Sequence, residues 1–310
     1  MTSSTQATTG AMPLPQADWR PAWLVKHAPA LVIVAILIAL WYVAAILMNM
    51  TLVRDAFERQ ESQYTFSDLI AGTMDLERPI VPAPHQVAES LGESIFEYPV
   101  DSPRNLAYHA WVTLSATLVG FAIGAIFGII LAVLIVHART LEKSLLPWVI
   151  CSQMVPILAI APIIIVVLGA IGIRGILPKS IISAYLCFFP VTISMVKGFT
   201  SADPIQLDLM RTWSAGKLHV FWKLRWPSSI PFLFTGLKVA ITISLVGAIV
   251  GELPTGAQAG IGARLLTGSY YGQTVQIWAA LIVASVLAAG MVAIIDLVAR
   301  MSERKMGAAR

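Results

Sequence analysis

The sequence predicts an all-α membrane protein with six transmembrane helices. Three observations carry that expectation. Hydrophobic residues make up 57% of the 310 residues and charged residues 12%, against about a half and a quarter in soluble domains. Mean hydropathy is +0.77. Six apolar runs approach or exceed the roughly 20 residues needed to cross about 30 Å of hydrocarbon.

In chain order the runs are 30–50, 106–136, 145–170, 181–196, 232–250 and 275–299. Ahead of them, residues 1–29 are polar and Pro-containing and read as a disordered tail. They are not expected to be a signal peptide, because the apolar stretch behind them is long enough to span and lacks a small-residue cleavage site. Segment 51–105 is too long for a simple turn. Within it "VPAPHQVAES" reads as a stiff, extended entry into a short helix. A five-helix core covers 106–300, including a loop at 197–231, and 301–310 forms a short tail.

Charge orients these elements. Segment 51–105 holds ten Asp or Glu, four Arg and no Lys, whereas 197–238 holds six Lys or Arg and two Asp. Arg20 and Lys26 precede the first run, and Arg300, Arg304, Lys305 and Arg310 follow the last. Basic loops stay in the cytoplasm. Both termini and the 197–231 loop are therefore expected on the cytoplasmic side of a cell inner membrane, with the acidic segment outside. The formal net charge of +4 lies beside the spans and points to membrane lipid, not nucleic acid. Cys151 and Cys187 lie in apolar runs and read as free core thiols.

The motifs follow in the same order. Gly120, Gly124 and Gly128 share one face of the second span, where a neighbouring helix backbone can approach closely. In the third span, Pro156 and Pro162 remove amide donors and bend the helix. Such breaks persist where neighbours or a cavity satisfy the freed carbonyls. Gln153, beside the break, fits either a bond to another helix or a pathway lining. Glu252, in "VGELPTG", fits either a solvated interfacial acid or the outer mouth of a pathway. Asp296 stands one turn before Arg300, at ion-pair spacing. So few acids in the spans leave proton- or sodium-coupled transport without its usual relay.

No G-x-x-x-x-G-K-[ST], H-E-x-x-H, G-x-S-x-G or C-x-x-C occurs, so the chain has no phosphate-binding loop and no catalytic or metal-ligating constellation of its own. His109, His137 and His219 lack metal-ligand spacing. An enzyme is not expected, and neither is a metal or cofactor in this chain.

The 197–231 loop is the most informative stretch. Asp203 suits an N-cap, Pro204 the first helical position, and Gln206 the return bond of a capping box. Ile205, Leu209 and Trp213 recur every four residues on one face. Ser214, Ala215 and Gly216 supply a turn. A second short helix is expected to stop before Pro227. An amphipathic pair on the inner leaflet and a docking element for a cytoplasmic partner fit this pattern equally well.

A resemblance separates the two. "LDLMRTWSAGKLHVFWKLRWP" resembles the cytoplasmic loop of binding-protein-dependent ABC importer permeases, whose pattern is E-A-A, three residues, Gly, then about a dozen residues to Leu-Pro. Asp208 takes the acid's place, Leu209 and Met210 the alanines, and Ser214 the glycine. Ala215 and Gly216 match the small residues that follow, and Trp226-Pro227 replaces Leu-Pro. "SQMVPILAIAPIIIVVLG", "GILPKSIISAYLCFFPV", "VGAIVGELPTG" and "VPAPHQV" are similar to segments of the nitrate, sulfonate, taurine and thiamine-precursor group. The resemblance covers roughly 80–300.

The resemblance implies a type I ABC importer permease fold with a cytoplasmic coupling helix. That helix would carry Ile205, Asp208, Leu209, Met210, Arg211, Trp213, Ser214, Ala215 and Gly216. It also implies a second permease subunit, identical or related, a cytoplasmic ATPase dimer holding ATP and Mg, and an extracytoplasmic solute-binding protein. The bulk of Leu209 and Met210 implies a matching groove on the ATPase. An anion site would need Arg or Lys in the spans. Only Arg174 and Lys179, in an outer turn, stand out, which favours a neutral heterocycle such as a pyrimidine-type thiamine precursor or riboflavin. Sulfonate, taurine or nitrate is the alternative, and a secondary transporter working alone a more distant one. Gln153, Thr192, Ser194, Thr242, Ser244 and Glu252 are the candidate pathway residues. Helix packing is the commoner use of such hydroxyls.

Overall fold

The computed structural model describes residues 22–254 and 259–305. The expectations for 1–21 and 306–310 lie outside the described residues. The described residues are helical and turn, with no strand among them. They run α1 (Ala22–Arg59), α2 (Phe66–Met74), α3 (Pro84–Gly92), α4 (Leu106–His137), α5 (Arg139–Ser152), α6 (Ile157–Ala170), α7 (Ile176–Thr200), α8 (Pro204–Thr212), α9 (Lys217–Val220), α10 (Trp226–Glu252), α11 (Ile261–Tyr271) and α12 (Thr274–Lys305). Five of these stretches are long and apolar enough to cross a membrane, and six if the bent pair α5–α6 counts as one span.

The core is three helices deep and built on small residues. α7 lies between α4 and α10. A Cβ on Gly120 would stand 2.5 Å from the Ser183 Cβ, and one on Gly124 2.8 Å from the Ala184 carbonyl oxygen. A Cβ on Gly128 would stand 2.7 Å from the Phe188 carbonyl oxygen. The glycine face of the second span is thus the seat of α7. From the other side, a Cβ on Gly247 would stand 2.8 Å from the Ser183 Cα, and one on Gly236 2.7 Å from the Ser194 Cβ. Without side chains at these points the backbones meet closely enough for hydroxyls to cross-link them. Ser183 donates to the Ser244 carbonyl at 2.8 Å, Ser244 to the Thr117 carbonyl at 3.1 Å, and Ser180 to the Ala116 carbonyl at 3.0 Å.

Several boundaries differ from the sequence expectation. The first span is not confined to 30–50: α1 runs from Ala22 to Arg59, so part of the expected tail and of the 51–105 segment is helix. The rest of that segment is a folded cap. Asn49, fully buried, accepts from the Ile80 amide and donates to the Val81 carbonyl, both at 2.7 Å. Trp41 donates to the Pro82 carbonyl at 3.0 Å, and Thr274 to the Pro79 carbonyl at 2.6 Å. The Pro-rich strip therefore lies across α1 and α12 before α3 begins.

The third run is not one continuous span. Its two halves, α5 and α6, meet at 96°. Pro156, at the N-cap of α6, cannot donate to the ladder, while Pro162 stays inside α6. Cys151, at this bend, is exposed and not a core thiol, whereas Cys187 is buried. The second helix of the basic loop does not stop before Pro227. It passes through one π-turn, Phe221–Arg225, directly into α10. There the Trp226 amide reaches back to the Phe221 carbonyl. The wider turn absorbs the donor that Pro227 lacks. The last span continues as helix to Lys305, past the expected boundary of the tail.

Candidate docking and translocation sites

α8 stands at the basic end of the bundle with its apolar stripe uncovered. Ile205 is 77% exposed, Leu209 52% and Trp213 73%. Asp203 caps it, its carboxylate accepting from the Ile205 amide at 2.9 Å. The expected return bond from Gln206 is not made, and the N-terminal cap is the Asp203 carboxylate alone. Asp208 pairs with Arg211 at 2.8 Å on the solvated side. At the C-terminus the Ala215 amide donates to the Met210 carbonyl at 3.0 Å and the Ser214 amide to Arg211 at 2.9 Å. This double closure requires a left-handed residue at its corner, and Ser214 has φ 54°. The related pattern carries glycine there because glycine adopts that conformation without strain. Ser214→Gly is expected to stabilise the α8 turn by about 1 kcal/mol. Slower amide exchange at Ser214 and Ala215 would register the gain. Unchanged exchange would count against a strained corner.

The loop is anchored from below by aromatics. Phe221 is buried, its ring centroid 5.1 Å from that of Phe199 on α7 and 4.9 Å from that of His137 on α4. Trp226 packs on Phe199 at 5.9 Å. These packed rings join the ends of α4, α7 and α10 beneath the loop. The aromatic run from Phe221 to Trp226 was the available signal for this anchor. Its contacts with residues far away in the chain were not readable.

At the opposite, acidic end, Glu252 is the centre of a buried polar knot. Its carboxylate accepts from the Thr113 hydroxyl at 3.0 Å and from the Gly262 amide at 2.8 Å. Lys179 Nζ lies 3.4 Å away and also donates to the Ala259 carbonyl at 2.9 Å. Thr113 Oγ1 in turn accepts from the Ile261 amide at 2.8 Å. His109 completes the knot: Nδ1 accepts from the Gly260 amide at 2.9 Å, which leaves Nε2 to donate to the Pro103 carbonyl at 2.8 Å. Gly260 has φ 123°, and a Cβ there would stand 2.2 Å from the Glu252 carboxylate. The knot ties α4, α7 and α10 to the start of α11. Glu252 is fully buried with its oxygens occupied and is not a solvated interfacial acid. Lys179 belongs to the first turn of α7 and not to an outer turn.

The other candidate pathway residues divide. Thr192 and Ser244 are buried, and their hydroxyls bond helix carbonyls. Ser194 abuts Gly236. These three make contacts between packed helices. Gln153, half-buried, sits at the α5–α6 bend, and Thr242 is exposed on α10. Lys238, counted with the basic loop in the sequence, lies well inside α10. Its ammonium pairs with Asp296 on α12, whose second oxygen pairs with Arg300 at 2.6 Å. The spanning helices α7 and α10 therefore do hold lysines. A cavity of about 760 Å³ opens near the acidic end, lined by Tyr108 and Val112 of α4, Ile165 and Gly169 of α6, Arg174 and Lys179.

A family model described as the binding-protein-dependent transport system inner membrane component matches residues 124–308. The chain belongs to this family. The permease is 31% identical over 175 residues to a probable ABC transporter permease protein of Haemophilus influenzae, covering 56% of this chain and 69% of that protein. It is 31% identical over 186 residues to the formylaminopyrimidine transport permease ThiX of Halalkalibacterium halodurans, covering 59% and 68%. The riboflavin transport system permease RibX of Chloroflexus aurantiacus is 29% identical, covering 60% of this chain and 65% of RibX. Permeases named for aliphatic sulfonates and for nitrate match less closely. This is therefore a membrane-spanning subunit of an ABC importer, with the type I permease fold.

Proposed function

We propose that this permease imports a small uncharged heterocycle of the pyrimidine or flavin kind, driven by a partner ATPase that docks on α8. Two permease subunits, alike or related, enclose the pathway. A solute-binding protein delivers at the acidic end, which faces out, and both termini and α8 lie in the cytoplasm. ATP and Mg bind to the ATPase dimer, and this chain has no catalytic role of its own. The observation that carries the docking reading is the uncovered stripe Ile205–Leu209–Trp213 on a helix closed at both ends by hydrogen bonds. A rigid apolar helix offered in this way suits the groove of a partner. Closure of the ATPase dimer shifts the permease only by the difference in docking free energy between its two states.

Two features favour the uncharged heterocycle. Relatives named for formylaminopyrimidine and riboflavin are among the most similar. Of the three lysines in α7 and α10, Lys197 stands in the last turn of α7 at the basic end, and the two farther in are matched, Lys179 by Glu252 and Lys238 by Asp296, so neither of those two offers an uncompensated charge to a sulfonate or nitrate.

The test begins with the tagged permease co-expressed with its neighbouring genes. Wild type is expected to retain an ATPase through purification. Leu209→Asp is expected to reduce the retained ATPase at least tenfold while the permease itself still elutes as a single species. Full retention in that variant would overturn the docking reading. Uptake into vesicles then decides the substrate: ATP-dependent accumulation of labelled riboflavin or formylaminopyrimidine is expected, and accumulation of taurine or nitrate in its place would overturn the heterocycle.

A further inference from the structure

Among the described residues the outward faces of α4 and α12 are mainly apolar, and the outward stripe of α10 differs in setting two threonines beside an ion pair. Outward residues of α4 include Ile123, Ile126 and Ile130, and those of α12 include Val286, Ile294 and Leu297. On α10 the residues facing away from α7 and α4 are Pro231, Thr235, Val239, Thr242 and Val246. They recur at four, four, three and four residues, so they form one stripe along the helix. Lys238 lies on its flank, with a side chain 36% exposed, and its partner Asp296 is 29% exposed. Thr235 donates to the Pro231 carbonyl at 2.9 Å and Thr242 to the Lys238 carbonyl at 3.2 Å. Both hydroxyls thereby spend their protons on their own helix and leave acceptor lone pairs outward.

Depth makes the stripe informative. Lys238 is 14 residues before Glu252, about 21 Å along the helix axis. Lys238 is also 12 residues after Trp226, so it stands near the middle of a helix long enough to cross the roughly 30 Å hydrocarbon layer. A partly exposed ion pair at that depth is disfavoured against lipid and is found facing a bundle interior or water. We propose that the Thr235–Lys238–Thr242 face of α10, with Asp296 beside it, lines the water-filled translocation pathway. It presents passing solute with hydroxyl acceptors and a charge-matched pair. This rests on the importer reading and adds which surface of the chain the solute meets.

Single cysteines test it, introduced at Thr235, Thr242, Ile130 and Leu297 in a Cys151→Ser background. Cys187 is buried and stays silent in the native fold. The co-expressed complex is reconstituted in vesicles and exposed to a charged, membrane-impermeant thiosulfonate on both sides. Thr235→Cys and Thr242→Cys are expected to react at least tenfold faster than Ile130→Cys and Leu297→Cys, and to change rate when ATP and vanadate trap the ATPase. Rates within threefold of one another at all four positions, with a permeant maleimide still labelling each, would overturn the proposal. Retention of the ATPase in the same preparations separates the two readings. Uniform labelling with the ATPase bound sinks only the pathway face, whereas loss of the ATPase from the wild type sinks the importer arrangement.

Discussion

Glu252→Ala is expected to cost the permease about 3–5 kcal/mol of stability, the range for breaking a buried ion pair by removing one partner. The loss falls on three groups at once. Lys179, 12% exposed, keeps its charge without a counter-ion. The Gly262 amide, 2.8 Å from the carboxylate, loses its acceptor, and so does the Thr113 hydroxyl. Glu252→Gln keeps an oxygen for Thr113 and Gly262 but leaves the lysine unmatched, so a smaller loss is expected. Adding Lys179→Met to Glu252→Gln removes the orphaned charge and should recover part of that loss. Melting in detergent, followed by the reactivity of buried Cys187 in a Cys151→Ser background, reads the series. The expected order of midpoints is parent, double variant, Glu252→Gln, Glu252→Ala. A Glu252→Ala midpoint within one degree of the parent would show that the knot is not structural.

The second large effect is expected at the α4–α7 seam. A Cβ on Gly120 would stand 2.5 Å from Ser183 and 2.6 Å from the Ser180 carbonyl oxygen. The obstacle includes backbone, which cannot rotate away as the end of a long side chain can. Even Gly120→Ala must push the helices apart, breaking the Ser180–Ala116 bond. A loss of about 2–3 kcal/mol is expected for Gly120→Ala, from the cost of overpacking a tight core. Gly120→Leu is expected to yield no folded protein. Gly290→Ala is the control. It lies in α12 with nothing within 4 Å of the added methyl, and helix propensity favours alanine by about 0.5–1 kcal/mol. Monodisperse yield and melting midpoint measure all three. Equal midpoints for Gly120→Ala and Gly290→Ala would refute the close seam.

Much of the frame was legible because its signals are local. Apolar runs mark the spans, since each helix must satisfy its own backbone in hydrocarbon. The four-residue glycine spacing marked the face on which α7 packs. The i, i+4 stripe of α8 and its Asp203 cap were readable for the same reason: neighbours on a helix are neighbours in sequence. Where local rules compete, sequence reading stopped short. Pro227 read as a terminator, yet the π-turn at Phe221–Arg225 carried the helix through it. Pro156 and Pro162 read as equivalent bends, yet only the chain at Pro156 breaks.

The candidate pathway residues fared differently because a polar side chain in a span has no periodic signature of its partner. Thr113 and Glu252 are 139 residues apart, and Lys238 and Asp296 are 58 apart. Asn49, which holds the cap to α1, was likewise silent. The sequence by itself determined that this is a multi-span, all-helical membrane protein with an amphipathic loop helix, because hydrophobicity, charge and helical period act over a few residues. Only the tertiary structure decided which polar groups are consumed in packing and which remain outward, because that depends on which helix faces meet. In a low-dielectric interior, the difference between a matched and an unmatched polar group is what separates the knot at Glu252 from the open stripe on α10.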